Sequence, residues 1–447
     1  MSERTPDPNF LSDFVGKACS AGADAADAVM ISSVSLNASW RLGQNEGVER
    51  AESSDLGLRV LVGQGQAIVS STNMQDDALN ELIERAVTMA RSAPEDPYCG
   101  LPEPSQFLNE AIDLDLADSE MPSSTALLDL AALAEDAARE VPGITNTEGA
   151  EASAAESAIT LANSAGFAEG YLATSFGISA SVIAGSDTQM ERDYEYCSSR
   201  HYGDLEAATE VGKRAGERAV NRLNPRKIKS QQVPVVFDPR LSGGFPRLLA
   251  GLISGAAISR GTSILKDKMN ETVFAADIDI IDDPLRKRGL SSRPFDGEGI
   301  RGKSRKIIQN GVLRTWLLDT RSARQLELVS TGHASRGTST PPSPAPTNLY
   351  MSPGPISRDD LIESIDSGFY VTEMMGMSFN SLTGDYSRGA SGFWIENGEL
   401  IHPVNEMTVA GNIKDMFLNL TPADDLTFRY GVNAPTLRID GMTVAGV

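Results

Sequence analysis

The sequence predicts an α+β fold: a duplicated helix–strands–helix N-terminal region followed by a strand-rich C-terminal domain. Three observations predict it. Apolar residues recur at helical spacing in four segments of the first 224 residues, and between the members of each pair the pattern turns to strand-like alternation. That order, helix, strands, helix, occurs twice, as in a duplicated unit. After residue 233 a single helix gives way to strand-rich sequence punctuated by two Asn-Gly dipeptides, the turn residues of tight hairpins.

The first unit, residues 1–92, opens with a helix over 9–22 that carries Leu11, Phe14, Val15 and Ala18 on one side. Strands follow through 28–71, one of them the apolar run 56–62. A helix over 76–92 closes the unit, with Leu79, Leu82, Ile83, Ala86, Val87 and Ala90 at helical spacing. Residues 93–122, rich in proline and then acidic, read as a linker. The second unit, 123–224, repeats the order: a helix over 124–140 striped by Leu127, Leu130, Leu133 and Ala137, strands through 147–198, and a helix over 204–223. Ser123 or Ser124 supplies the N-cap of its first helix. Residues 224–232 form a basic linker.

The third region, 233–447, begins with the short buried strand VPVVFDP and then a helix over 245–258. One hairpin turns at Asn310-Gly311 and another at Asn397-Gly398, the second placing His402 opposite Phe393. The proline-rich stretch 337–348 cannot pair as a central strand and reads as an exposed loop.

Composition bounds the function. At 447 residues two to three domains are expected. Sixty-one acidic against 39 basic residues give a net charge of −22, which repels phosphate backbones, so no direct nucleic-acid binding is expected. The N-terminus has no signal-peptide pattern, and the longest apolar run, 248–258, is too short to cross a bilayer. No membrane association is therefore expected. Cys19, Cys99 and Cys197 offer no disulfide framework and suit a reducing, cytoplasmic compartment.

Several short motifs carry less than they promise. Residues 297–304 match GxxxxGK[ST], but phosphate cradling needs a buried strand before and a helix after, and neither is present. Gly63-Gln64-Gly65 is followed by strand and reads as a hairpin turn. Gly389-Ala390-Ser391-Gly392 lacks the helix of a nucleophile elbow. His201, His333 and His402 do not share ligand spacing. The run 383–390 is different: polar, glycine-rich and longer than a structural turn needs. Gly384, Asp385, Tyr386, Ser387 and Arg388 are candidates to contact a peptide or a partner, and an internal Asp385–Arg388 pair that braces the loop is an equal reading.

The phrases VTEMMG, TGDYSRGASGFWIENGEL, PVNEMTVAGNIKDM and PTLRIDGMTVAG, with DDP at 282–284, PFDGEG at 294–299, NGVLRTWLLDT and STGHASR at 330–336, resemble the TldD/PmbA family. This family, once called modulators of DNA gyrase, is regarded as a family of peptidases, and the likeness is to its PmbA (TldE) branch. The TldD branch carries a zinc-binding HExxxH helix, with a later cysteine implicated. Where that motif falls, this chain has Ala250, Gly251 and Gly255, none of which has a metal-binding atom, and no cysteine follows Cys197.

The resemblance implies a non-catalytic subunit of a TldD/TldE-type metallopeptidase complex acting on unfolded or peptide substrates. Zinc is expected only in a TldD-like partner, with which this chain would form a heterodimer, and a homodimer is expected when it is alone. Asp296 and Glu298, the acids of the family's glycine turn, join the contact candidates. Peptide would be held by strand addition. An independent hydrolase with an unrecognised site and a non-enzymatic peptide-binding homodimer are the alternatives.

Overall fold

A computed structural model of the chain describes residues 7–446; the polar start of the sequence, residues 1–6, lies outside the described residues. The N-terminal region contains α1 (Pro8–Ser20), β1 (Ala25–Arg41), β2 (Gln44–Val62), β3 (Gly65–Ser71), α2 (Asp76–Ser92), α3 (Ser124–Arg139), β4 (Ile144–Asn163), β5 (Ala168–Ala184), β6 (Glu191–Ser199) and α4 (Ala208–Asn221). Both passes build a single antiparallel sheet, ordered β3-β2-β1-β4-β5-β6. Its seam is the β1–β4 pairing, which runs from Asp27↔Asn163 to Trp40↔Ala150.

Each pass buries its own helix pair on this sheet. Leu11, Phe14, Leu82 and Ile83 pack on Ala26, Leu58 and Val60; Leu127, Ala131 and Val211 pack on Ile178 and Val182. The second helix pair is close: a Cβ at Gly212 would stand 1.9 Å from the Ala134 carbonyl, so only glycine fits there. Ser123 caps α3 by accepting from the Ala126 amide. Buried Glu135 of α3 accepts from the amides of Leu42 and Gly43 at 2.6 and 2.9 Å, fastening the second pass to the β1–β2 turn of the first.

Residues 93–122 are not a free spacer. Their alternating Leu114 and Leu116 are buried against Ala173, Phe107 bridges to Ile300, and Arg324 donates to the carbonyls of Cys99 and Leu101. The apolar residues within an otherwise acidic run turn it into a strap across the N- and C-terminal regions.

From residue 231 the chain forms β7 (Gln231–Phe237), α5 (Pro239–Ser242), α6 (Gly244–Leu252), α7 (Gly255–Ser259), β8 (Ile280–Asp282), β9 (Arg305–Gln309), β10 (Val312–Leu313), α8 (Thr320–Gln325), β11 (Ala334–Ser335), β12 (Ser343–Pro344) and β13 (Leu349–Met351). It continues through α9 (Arg358–Glu363), β14 (Ser367–Phe379), β15 (Asp385–Glu396), β16 (Glu399–Asn412), α10 (Ile413–Leu418), β17 (Leu420–Pro422), β18 (Val432–Asn433) and β19 (Leu437–Ala445). One sheet runs β16-β15-β14-β7-β19-β17 and is drawn round on itself by a β16–β19 pairing; a second runs β10-β9-β8-β13-β18. One large core, with Phe237, Phe245, Phe274, Phe369 and Phe417 at its centre, draws on both. The fold is α+β, and no helix among the described residues is long and apolar enough to cross a membrane.

Four expectations for this region are corrected. The single helix over 245–258 breaks after Leu252, because Ser254 bridges to Leu317 and the Gly255 amide donates to the Leu317 carbonyl at 2.8 Å. Gly251 and Gly255, on either side, support a helix poorly enough to allow it. The proline-rich stretch is partly packed: Pro342, Thr347 and Asn348 are buried, and Ser343–Pro344 pairs with β11. The expected loop over 383–390 is mostly strand, since β15 begins at Asp385 and pairs with β16 throughout. His402 stands opposite Trp394 rather than Phe393, because a bulge at Ile401 shifts the register.

Both Asn-Gly hairpins form as the sequence indicates, with positive φ at Asn310, Gly311, Asn397 and Gly398. The Gly63 turn also forms, and residues 297–304 run as a turn into strand β9 rather than a helix. At Gly398, φ is +81° and a Cβ would meet the Glu363 backbone at 2.9 Å. Gly398→Val is therefore expected to cost about 1–3 kcal/mol, read as a lower urea midpoint. An unchanged midpoint would contradict this account of the turn.

Candidate functional site

The sheet face formed by β14 and β15 and the helix α6 enclose a groove of about 580 Å³. Helical spacing places Gly244, Arg247, Leu248 and Gly251 on the face of α6 that looks into it. Phe245 and Leu252 contribute from the edges of that face. Met374, Ser378 and Phe379 of β14, Ser381 of the following turn, and Tyr386 and Arg388 of β15 form the other wall. Strand alternation puts Tyr386 and Arg388 on one face and Asp385 and Ser387 on the other.

The groove is largely apolar, with polar groups toward the β14–β15 turn. The Tyr386 hydroxyl donates to the Met374 sulfur at 3.3 Å. Burial pushes its pKa up against the pull of Arg388, so it stays a neutral donor. Arg388 donates through Nε to the Gly376 carbonyl at 2.9 Å. Among the described residues neither Arg388 nor Arg247 forms an ion pair with any acid, a notable condition in a chain of net charge −22.

The groove also borders an open backbone edge. β14 pairs with β15 along its length, but on its other side β7 covers only Phe369–Val371. Beyond Val371 no strand among the described residues pairs on that side.

The three positions Ala250, Gly251 and Gly255 diverge. Ala250 points into the core, Gly251 opens into the groove with nothing within 4 Å of its would-be Cβ, and Gly255 sits on α7, where a Cβ would meet Ser322 and Leu318 at 2.4 and 2.6 Å. These residues do not fit a zinc ion: they carry no donor atom, and Gly255 leaves no room for one. The groove wall itself is built without His, Cys, Asp or Glu. Among the described residues no three metal-ligating side chains cluster. His333 is buried between Thr331 and Asp282, and His201 contacts the Asp115 carbonyl.

Of the loop candidates, Tyr386 and Arg388 reach the groove. Asp385 instead accepts from Thr383 at 2.6 Å and Asn412 at 3.3 Å, bracing its own turn. Gly384 is buried beside Asn412, and Ser387 is half-buried on the far face. No ion pair joins Asp385 to Arg388. Arg247, Phe245, Met374 and Phe379 were not singled out from sequence; the spacing 244, 247, 248, 251 was the signal available for Arg247.

Asp296 and Glu298 lie elsewhere, turned inward under the N-terminal sheet and 2–3% exposed. Asp296 accepts from the amides of Glu298, Ile300 and Ala334. Glu298 accepts from the Thr320 amide and hydroxyl at 2.8 and 2.7 Å and stands 4.0 Å from Arg59. Burial first, then repulsion from Asp296, pushes Glu298 up to about 8 despite Arg59. Beside it Asp27 accepts from Arg59 Nε at 2.9 Å and from Arg336. Burial would raise the Asp27 pKa, but the two guanidinium groups more than offset it and hold the carboxyl ionised. This cluster ties β1 and β2 to the C-terminal region.

A second cavity, of about 540 Å³, lies where the central and C-terminal regions meet. Three of its arginines are already matched to acids, Arg240 to Asp193 and Asp238, Arg222 to Glu191, Asp193 and Glu373, and Arg218 to Glu195, while Arg358 lies over the Tyr370 ring.

Comparison with known proteins places these features. The chain matches the PmbA/TldA metallopeptidase domain 1 over residues 26–90, the central domain over 117–223 and the C-terminal domain over 230–446. It is 35% identical to the metalloprotease PmbA of Escherichia coli over 425 residues, covering 95% of this chain and 92% of that protein. Identity to the PmbA homologue of Haemophilus influenzae is also 35%, over 96% and 94% of the two chains. Among solved structures, a Bacteroides thetaiotaomicron protein proposed to modulate DNA gyrase superposes with a TM-score of 0.90 at 27% identity, over 98% of this chain and 99% of that one. TldE from Thermococcus kodakarensis, 21% identical over the same shares, has the same fold with a TM-score of 0.86.

Proposed function

The chain belongs to the PmbA/TldD metallopeptidase family, and from that premise we propose that it is the zinc-less subunit of a two-subunit cytoplasmic peptidase. A TldD-like partner supplies the zinc; this chain completes the heterodimer and holds extended peptide. The observation that carries the reading is the groove itself: the helix face that would present metal ligands presents Gly251, and beside it runs an unpaired stretch of β14. An extended segment adds to that edge through main-chain hydrogen bonds and lowers an apolar side chain between α6 and the sheet. Tyr386 and Arg388 face that segment; Asp385 and Gly384 shape the turn that positions them.

Two measurements test the proposal. The purified chain, dialysed against a mild chelator, is expected to retain no stoichiometric zinc and to cleave no unfolded peptide. Adding a zinc-loaded TldD-like subunit is expected to give a heterodimer with peptidase activity. One tightly held zinc per chain, or hydrolysis by this chain alone, would sink the reading in favour of an independent hydrolase.

A further inference from the structure

We infer that the groove selects the C-terminal end of its peptide, seating an apolar last side chain and binding the terminal carboxylate with Arg388 and Arg247. The inference rests on the reading that the groove holds peptide, and it adds which part of the peptide is held. Three features carry it.

The first is charge. Arg247 is exposed and Arg388 half-buried, and neither has an ion-pair partner among the described residues, although acids outnumber bases 61 to 39. Arg388 uses Nε on Gly376 and its guanidinium also contacts the Tyr386 hydroxyl, a neutral partner that leaves its charge unmatched for a carboxylate. The second is chemistry. Phe245, Leu248, Leu252, Met374 and Phe379 wall the groove, so an apolar side chain is matched beside the charge.

The third is length. The stretch of β14 without a strand beside it runs only from Thr372, whose carbonyl accepts from Arg240 at 3.4 Å, to Phe379, and is interrupted at Gly376, where φ is +72° and the register against β15 shifts. It ends at the turn 380–384, whose Ser381 joins the groove wall beside Arg388. A strand long enough to pass through would run into that turn; a chain end stops there. The acid of choice is therefore a free α-carboxylate rather than a side-chain carboxylate in mid-chain.

The test uses the full-length chain and fluorescence anisotropy with three labelled hexapeptides: one ending in leucine as the free acid, the same peptide amidated, and an amidated version with aspartate before the leucine. The free acid is expected to bind about tenfold more tightly than either amide. R388Q and R247Q are each expected to narrow that gap. Among the described residues the Arg247 side chain has no hydrogen bond or ion pair to lose, so R247Q carries the test even if R388Q proves unstable through loss of the Gly376 bond.

Equal binding of free acid and amide would overturn the inference while leaving peptide binding in place. Recovery of full affinity by the aspartate peptide would overturn the choice of chain end. Binding of none of the three would overturn both the inference and the peptide reading beneath it.

Discussion

Asp27→Asn is expected to destabilise the protein by about 3–5 kcal/mol, the cost of removing one partner from a buried ion pair. The substitution keeps the shape of the side chain and removes its charge. Arg59 and Arg336, 5% and 1% exposed at their side chains, would then face each other without their counter-ion. Asparagine would also turn a donor toward donors, so a hydrogen bond is lost along with the charge. Because Asp27 belongs to β1 and Arg336 to the C-terminal region, the loss falls on the junction between them. It should appear as a lower urea midpoint and as faster proteolysis in residues 93–122. A change below 1 kcal/mol would show that neighbouring groups, Glu298 first among them, can take over the countercharge.

The second large effect is a dependence on pH centred on Glu298. Its carboxyl binds a proton more tightly in the folded chain, near 8, than in the unfolded chain, near 4.5. The stabilisation is fully present below the unfolded value and is lost as pH rises through the folded one. At about 1.4 kcal/mol per unit, that interval is worth about 5 kcal/mol. Asp27, held below its ordinary value, has the opposite sign: its contribution is present at neutral pH and is lost only in acid. Asp27 therefore adds nothing between pH 6 and 9, whereas Asp296, raised by burial beside Glu298, shifts in the same direction as Glu298. Glu298→Gln keeps an oxygen to accept from Thr320 and removes the ionisation. Its melting temperature should fall less steeply from pH 6 to 9 than that of the parent chain. Parallel slopes would place the titration elsewhere.

How much of this was legible depends on the range over which each feature is determined. Local features were open to reading. The helix Asp76–Ser92 follows from its apolar spacing, the cap at Ser123 from a hydroxyl ahead of a striped helix, and the two Asn-Gly turns from the need for positive φ. Features set by distant residues were not. The break in the helix at Ser254 depends on a hydrogen-bond partner at Leu317, and the burial of residues 93–122 depends on Ala173, Ile300 and Arg324.

The acids of the glycine turn illustrate the same limit. PFDGEG announces a turn, but that Asp296 and Glu298 face inward is decided by Ala334, Thr320 and the sheet above them. In the groove, family resemblance and loop chemistry each pointed to one wall. Only the fold brings Gly251 on α6 opposite Tyr386 and Arg388, more than 130 positions later. Arg247 is not legible in the sequence because a lone arginine on a helix is usually a solvated one; what sets it apart is that no acid among the described residues pairs with it.

The β1–β4 seam sets a waiting time during synthesis. β1 is complete at residue 41, but the strand that covers its inner edge ends at residue 163. At roughly 5–20 residues per second the ribosome needs on the order of ten seconds to supply it. For that interval the first pass can close its own helix pair on β1–β3, while the N–H and C=O groups of β1 that will meet β4 stay open to any passing strand. The hazard belongs to the nascent chain and vanishes once β4 docks. Soluble yield at high expression is thus governed by how quickly residues 144–163 arrive and pair, a quantity that the equilibrium stability of the finished protein does not report.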